Sequence, residues 1–136
     1  MCDPMNPILK SQHPQRQYLL SRPESTECFP FGEQTAVYKV RDKVFALFFL
    51  DFRGHPGMNL KCDPDQALAL RDVFESVIPG YHMNKKHWNT VILDGSIPDA
   101  EIERMIDHSY AQVIRGLRKK DRLALAALYG SELFEA

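Results

Sequence analysis

The chain has 136 residues and a mass of 15.7 kDa, and 44% of its residues are hydrophobic and 26% charged. This length supports one hydrophobic core and is too short for two domains of ordinary size. Seventeen Lys and Arg face eighteen Asp and Glu, for a formal net charge of −1, which excludes a polybasic nucleic-acid tail and an acidic disordered chain. Any electrostatic function must therefore come from a local cluster of charges.

The three cysteines, Cys2, Cys28 and Cys62, are widely spaced, which argues against a disulfide framework or a zinc module. The N-terminus lacks the basic segment and apolar run of a secretory signal, and no stretch approaches the ~18 apolar residues of a membrane span. We therefore expect a cytoplasmic protein that does not associate with membranes and binds neither a metal nor a cofactor.

Five of the nine prolines lie in the first 30 residues, which predicts an irregular N-terminal arm over residues 1–30 with one short helix at 14–22. Residues 31–136 then form a single domain. In this domain, apolar runs at 36–40 and 44–50 flank the turn residues 41–43, which predicts a β-hairpin. A second turn leads to a strand at 58–62, so two successive hairpins predict an antiparallel meander.

Asp63, Pro64 and Gln66 are typical of a helix start, as the cap, the first helical residue and the residue that reaches back to the cap. Apolar residues at three- and four-residue steps extend this helix to 77, before Pro79 and Gly80. A strand at 88–93, a long helix from 99 and a Leu/Ala-rich helix to about 128 follow. The order predicts an α+β fold, a two-layer sandwich of an antiparallel sheet with helices packed on one face.

No segment carries a familiar catalytic motif, such as a nucleophile elbow or a phosphate-binding loop, so we expect no enzymatic activity. The segment 81–88, YHMNKKHW, is dense in functional side chains. As a nucleic-acid contact, Lys85 and Lys86 would neutralise phosphates, Asn84 would pair with a base edge, and Tyr81 or Trp88 would stack. Alternatively, the segment is a solvated loop held by its own hydrogen bonds.

Other residues in this region allow different chemistry. His82 and His87 would bind a metal only if a third ligand such as Cys62 came close to them. Cys62 itself is either a low-pKa thiol near a helix N-terminus or a small residue that fills a strand-to-helix corner.

The long helix separates charges along its length. Asp99, Glu103 and Asp107 lie on one face near its start, a weak candidate for a cation site. Basic residues gather at and beyond its end, among them Arg115, Lys119 and Lys120. This distribution complements the helix dipole, and the basic end is also a candidate surface for phosphate.

Several motifs match those of a known family: residues 30–32 (PFG), 43–46 (KVFA), 60–64 (LKCDP) and, above all, 79–91 and 93–99. On these motifs, which cover about residues 30–122, the chain resembles the MmcQ/YjbR family of small bacterial proteins. The resemblance implies a CyaY-like fold, also similar to that of secretion chaperones. It further implies DNA binding through a double-wing motif, for which the two hairpins are candidates.

Two residues depart from the pattern of this family. Asp42 stands in the hairpin turn where relatives often carry Gly, which places an acid near a wing tip. Arg118 stands where relatives often have Pro, which would let the final helix run on.

Together these observations predict a non-catalytic DNA-binding domain that contacts mainly the phosphate backbone and is a monomer or a weak dimer. The expected contact residues are Asn84, Lys85, Lys86, His87, Trp88, Arg115, Lys119 and Lys120. The alternative is a protein-interaction module, similar to a chaperone, that does not bind nucleic acid. Convergence of His82, His87 and Cys62 would favour a metal protein or an enzyme instead.

Overall fold

The computed structural model describes residues 13–136. The helices are α1 (Pro14–Ser21), α2 (Pro64–Val73), α3 (Asp99–Arg115), α4 (Lys119–Tyr129) and a terminal 3-10 helix (Ser131–Glu135). The strands are β1 (Thr26–Cys28), β2 (Thr35–Val40), β3 (Lys43–Phe52), β4 (His55–Lys61), β5 (Val77–Pro79) and β6 (Trp88–Ile92). All strand pairs are antiparallel, and the sheet has the order β1-β2-β3-β4-β6-β5.

One face of the sheet carries the helices and the core. α3 packs across β3 and β4, and α2 packs against β5 and β6. The apolar stripe of α3 is buried, and the Ser109 hydroxyl joins this helix to two strands by donating to the Phe45 carbonyl at 2.5 Å and accepting the Lys61 N–H at 2.8 Å. The expected α+β sandwich with helices on one face is therefore confirmed.

Both hairpin turns are tight two-residue turns. Arg41 and Asp42 have φ values of 48° and 67°, and Arg53 and Gly54 have φ values of 55° and 91°. Two successive left-handed residues match the twist of the paired strands, and Asp and Gly tolerate this conformation. The second turn is shorter than the sequence suggested, so β4 begins at His55 and not at residue 58.

The α2 helix begins as expected but ends earlier. The Asp63 carboxylate accepts the N–H groups of Asp65 and Gln66 at 3.2 Å, as the cap prediction requires. The helix stops at Val73, so the prediction that it continues to 77 is wrong. Val77 instead begins β5 and pairs with Val91 of β6, and both side chains are buried.

α3 and α4 are separate helices. α3 ends at Arg115, and Arg118 is extended, with φ −63° and ψ 156°, as the N-cap of α4. Arg118 therefore does not let the helix run on, although it is not proline. No described helix has both the length and the apolar character that crossing a membrane would require.

Residues 14–28 pack on the rest of the domain. Leu19 of α1 is fully buried in the core, the Tyr18 hydroxyl donates to Asp107 of α3 at 2.8 Å, and β1 pairs with β2 as an edge strand. The arm predicted for residues 1–30 therefore contributes a helix and a strand to the fold from Pro14 onward. Its first 12 residues lie outside the described part of the chain.

Candidate functional site

The basic segments singled out in the sequence lie at the same end of the sheet. Lys61, the last residue of β4, pairs with Trp88, which follows the β5–β6 loop. The β2–β3 turn lies at the same end and, with Lys43, lines a pocket together with Gly116 and Arg118 between α3 and α4. We call the surface formed by these segments the cationic end, and its basic residues include Lys43, Lys85, Lys86, Arg115, Lys119 and Lys120.

The two successive hairpin turns do not share this end. β3 joins them and has 10 residues, so the β2–β3 and β3–β4 turns are about 30 Å apart at the usual rise per residue. The two hairpins therefore project from opposite ends of the sheet, and the double-wing motif that the resemblance implies stays a prediction. The two projecting segments that do share an end are the β2–β3 turn and the β5–β6 loop. Their centres are three strand spacings apart, or roughly 14 Å.

The β5–β6 loop is held by its own hydrogen bonds. The Asn84 side chain accepts the Lys86 N–H at 2.9 Å, and the His87 N–H donates to the Asn84 carbonyl at 3.2 Å. From α2, the Arg71 guanidinium donates to the carbonyl of Lys85 and to the Asn89 side chain. Asn84 therefore shapes the loop, and Trp88 is a half-buried strand residue at its end.

The lysines of this loop carry unneutralised charge. Lys85 and Lys86 are exposed, and neither forms an ion pair with a described carboxylate. The Lys85 ammonium donates to the Gly80 carbonyl at 3.2 Å, which keeps it beside the start of the loop. A positive charge bonded only to a neutral carbonyl remains attractive to phosphate.

The α3–α4 junction also carries exposed basic side chains, but they differ in whether other groups already bind them. Lys119 and Lys120 are exposed and have no ion pair among residues 13–136. Arg115 is also exposed, but its guanidinium donates to the carbonyls of Phe134 and Ala136 and so holds the C-terminal segment. Nearby, Arg41 and Arg118 share Asp121, which lowers the pKa of that carboxyl below its ordinary value.

The sheet face away from the helices holds a groove that the sequence interpretation missed. The register places Val37, Leu47, Asn59, Thr90 and Ile78 in one row across this open face. The start of the β5–β6 loop folds over it and helps to enclose about 710 Å³. The lining residues are Phe31, Thr35, Leu47, Phe49, Asp51, Phe52, Arg53, Asn59, Tyr81, His82 and Met83.

The aromatic groups of this groove form a ladder. The Tyr81 ring lies 5.3 Å from that of Phe52 and 4.0 Å from that of His82, while Phe49 lies 5.9 Å from Phe52. The Arg53 guanidinium stands 4.9 Å over the Phe52 ring. Local periodicity does not reveal this ladder because its members come from two separate segments of the chain.

The potential metal ligands do not converge. His82 lies against Tyr81 at the open face, with the two rings tilted by 52°, whereas Cys62 lines a cavity of about 90 Å³ on the helix face. The Cys62 N–H donates to the His87 carbonyl at 2.8 Å, so these two residues meet through their backbones. No cluster of three or more potential ligands occurs among residues 13–136.

The Cys62 thiol and the acidic stripe near the start of α3, which the sequence also offers as candidate sites, have structural roles. Cys62 is buried at the strand-to-helix corner, and burial raises the pKa of its thiol to about 11, contrary to a low-pKa nucleophile. In the acidic stripe, Asp99 accepts from Gln15 at 3.2 Å and Asp107 pairs with Arg22 at 2.9 Å. These carboxylates therefore dock α1 onto α3.

Comparisons with known proteins agree with this fold. A family model described as YjbR matches residues 20–112. The uncharacterized Escherichia coli O157:H7 protein YbdF is 41% identical over 95 residues, covering 70% of this chain and 77% of YbdF. The uncharacterized YjbR of Escherichia coli K12 is 35% identical over 112 residues, covering 82% of this chain and 94% of YjbR.

Two solved structures are also similar. The Deinococcus radiodurans protein DR2400, whose domain is described as DUF419, superposes with a TM-score of 0.75 and 33% identity, covering 93% of this chain and 92% of that one. A Pseudomonas syringae protein has a TM-score of 0.61 and 27% identity, covering 71% of this chain and 95% of its own. Because the family model spans most of the folded region and these relatives share its length, the chain belongs to the YjbR family.

Proposed function

We propose that this protein is a non-catalytic, cytoplasmic DNA-binding protein that contacts mainly phosphates through the cationic end, as a monomer or a weak dimer. The observation that carries the proposal is the position of Lys85, Lys86, Lys119 and Lys120 at one end of the sheet, exposed and without a described ion-pair partner. Unpaired ammonium groups gathered on one surface are suited to the closely spaced charges of a duplex.

The site has few groups that suit base recognition. Asn84 already uses its side-chain oxygen within the loop, and Asp42, an exposed residue in the β2–β3 turn, opposes phosphate at that point. Binding that relies on the backbone positions a protein on DNA but conveys little sequence information. We therefore expect weak binding with little sequence preference.

The test is a fluorescence anisotropy titration of labelled duplex DNA at about 50 and 200 mM salt. Contacts to four or five phosphates predict that log K falls against log salt with a slope of about −4. Replacement of Lys85 and Lys86 by Ala should weaken binding and reduce the slope by about one for each phosphate that the variant no longer neutralises. Lys119→Ala/Lys120→Ala should act in the same direction.

A charge-matched control separates this site from the general charge of the protein. Arg104→Ala also removes one positive charge, but Arg104 lies within α3 and pairs with Glu101, so the slope should hardly change. No binding of the wild type at the lower salt concentration would refute the proposal. Equal weakening by Arg104→Ala and Lys86→Ala would refute the assigned surface.

The competing function is a protein-interaction module, and the exposed apolar part of the open face favours it. Phe31 is 72% exposed and Tyr81 44% exposed, and both line the same groove as Leu47, Phe49 and Phe52. A contiguous exposed apolar surface is typical of protein-interaction sites. The discriminating experiment is affinity capture after nuclease treatment. A defined protein that remains bound and is released by Phe31→Ala would favour this alternative.

A further inference from the structure

The open face of the sheet combines exposed rings with positive charge at both ends. Phe31, which is largely exposed, and Tyr81, which is 44% exposed, both line the groove. Arg53, also in the lining, lies against the Phe52 ring. At the loop end, the Lys85 ammonium is held at the carbonyl of Gly80, the residue before Tyr81.

From this arrangement we propose that the open-face groove binds an unpaired nucleic-acid strand, with bases stacked on Phe31, Tyr81 and His82 and phosphates placed near Arg53 and the loop lysines. Exposed rings on a surface flanked by cations are the arrangement that holds single strands, because every base offers a flat face and every nucleotide a negative charge. The groove, at about 710 Å³, is within the size range of ligand sites.

The groove is also preorganised. The Tyr81 N–H donates to the Thr90 hydroxyl at 2.9 Å, and the Asn59 side chain donates to the Tyr81 carbonyl at 3.0 Å. Both Asn59 and Thr90 are buried, so the sheet fixes the backbone that carries the Tyr81 ring. The carboxylate in the lining, Asp51, accepts the Gly54 N–H at 2.8 Å, which uses part of its acceptor capacity within the turn.

This surface differs from the cationic end, and the two share only Lys85 and Lys86. A duplex keeps its bases stacked inside the helix, so it can use the lysines but not the rings. An unpaired strand can use both. The inference therefore goes beyond the proposed function, and the two can fail independently.

The experiment compares three labelled probes at one salt concentration: an oligothymidylate of twelve nucleotides, an abasic strand of the same length, and a duplex of twelve base pairs. The wild type should bind the oligothymidylate at least about fivefold more tightly than the abasic strand, since each stacked base contributes substantially. Phe31→Ala and Tyr81→Ala should remove that difference and leave duplex binding unchanged. Val73→Ala is the control, because Val73 is 70% exposed on another element.

Phe31→Ala separates binding from folding, since the side chain is largely exposed and its loss should not alter thermal unfolding. Equal affinity of the wild type for thymidylate and abasic strands would overturn the inference, and so would competition by free thymidine monophosphate at equal nucleotide concentration. Binding of an apolar peptide in place of the oligonucleotide, dependent on Phe31, would also overturn it. If the protein binds the duplex but not the oligothymidylate, the groove inference is overturned and the duplex proposal stands. If it binds the oligothymidylate but not the duplex, only the duplex proposal is overturned.

Discussion

The side-chain amide of Asn59 donates a 3.0 Å hydrogen bond to the backbone carbonyl of Tyr81, which fixes the β5–β6 loop to the middle of the sheet. The Thr90 hydroxyl completes the link, since it accepts the Tyr81 N–H at 2.9 Å and donates to the Asn59 side-chain oxygen. The loop that carries Lys85 and Lys86 therefore depends on two polar groups buried in the sheet.

Asn59→Ala should release this loop and destabilise the fold. The substitution leaves the Tyr81 carbonyl and the Thr90 hydroxyl without their buried partner, which costs about 1–3 kcal/mol in the free energy of unfolding. Urea denaturation measures the cost, and hydrogen exchange should show faster exchange of the Tyr81 amide. Thr90→Val should reproduce the effect. Unchanged protection of this amide in both variants would contradict the assigned link.

Leu19→Ala tests whether the N-terminal helix belongs to the cooperative domain. Leu19 is fully buried in the core, so its truncation should lower the free energy of unfolding by about 2–5 kcal/mol. A side chain on a detached arm would contribute almost nothing. Gln17→Ala, at an exposed position of the same helix, is the control and should change the stability by less than about 0.5 kcal/mol. Equal stability of the two variants would favour a domain that begins near residue 31, as the sequence predicts.

The parts of the fold that the sequence predicts correctly are mostly those set by neighbouring residues, such as turns and helix caps. Arg41 and Asp42 mark a turn, and Asp63 marks a helix cap, because backbone angles and capping bonds depend on neighbours in sequence. β5 was missed because Val77 continues a helical spacing by chance. Its strand conformation comes from pairing with Val91, a contact that no window around Val77 contains.

The same distinction applies to the candidate surfaces. Lys85 and Lys86 stand out in the sequence because they are adjacent, and their position at the same end of the sheet as the α3–α4 junction follows from the strand pairing. The groove was not predicted because Phe31 and Tyr81 reach the same face from distant segments. Alternation along β2 and β3 indicates two-faced strands but does not show which face the helices leave open.

Cys62 should be a slow nucleophile. Burial raises the pKa of its thiol to about 11, so only about one thousandth of it is thiolate at about pH 8, and the thiolate is the reactive form. In a Cys2→Ser/Cys28→Ser background, a thiol reagent should modify Cys62 far more slowly in the native protein than in urea. Half-buried Cys28, isolated in the same way, should react faster. Comparable native rates would contradict the burial argument.

Gly80 has no room for a side chain. An added Cβ would lie 2.8 Å from the Trp88 Cβ and 2.9 Å from the Trp88 carbonyl oxygen, where β5 and β6 come together. Gly80→Ala should therefore cost about 1–3 kcal/mol in the free energy of unfolding, measured by thermal or urea denaturation. Gly116→Ala is the matched control, because the nearest atom to its added Cβ lies at an ordinary 3.4 Å. A Gly80→Ala variant as stable as the control would show that the strands can separate freely at this point.

Asp94 should make stability depend on pH in the acid range. Its carboxylate accepts hydrogen bonds from the hydroxyls of Ser76 and Ser96, both at 2.6 Å, and these bonds hold its pKa well below the ordinary 3.8. Because the folded state favours the charged form, the stabilisation is present above about pH 4 and is lost as the pH falls below that value. Asp94→Asn removes this contribution at all pH values.

Urea denaturation at about pH 7, 5 and 3 measures the effect. The difference in unfolding free energy between wild type and Asp94→Asn should be constant at the two higher pH values. It should be smaller at about pH 3, where the Asp94 carboxylate of the unfolded chain takes up a proton while that of the folded protein stays charged. Asp72→Asn, at an exposed position of α2, should show no such change. The same difference at all three pH values would mean that the two serines do not stabilise the charged form of Asp94. The connections before β5 and before α3 would then be joined by packing alone.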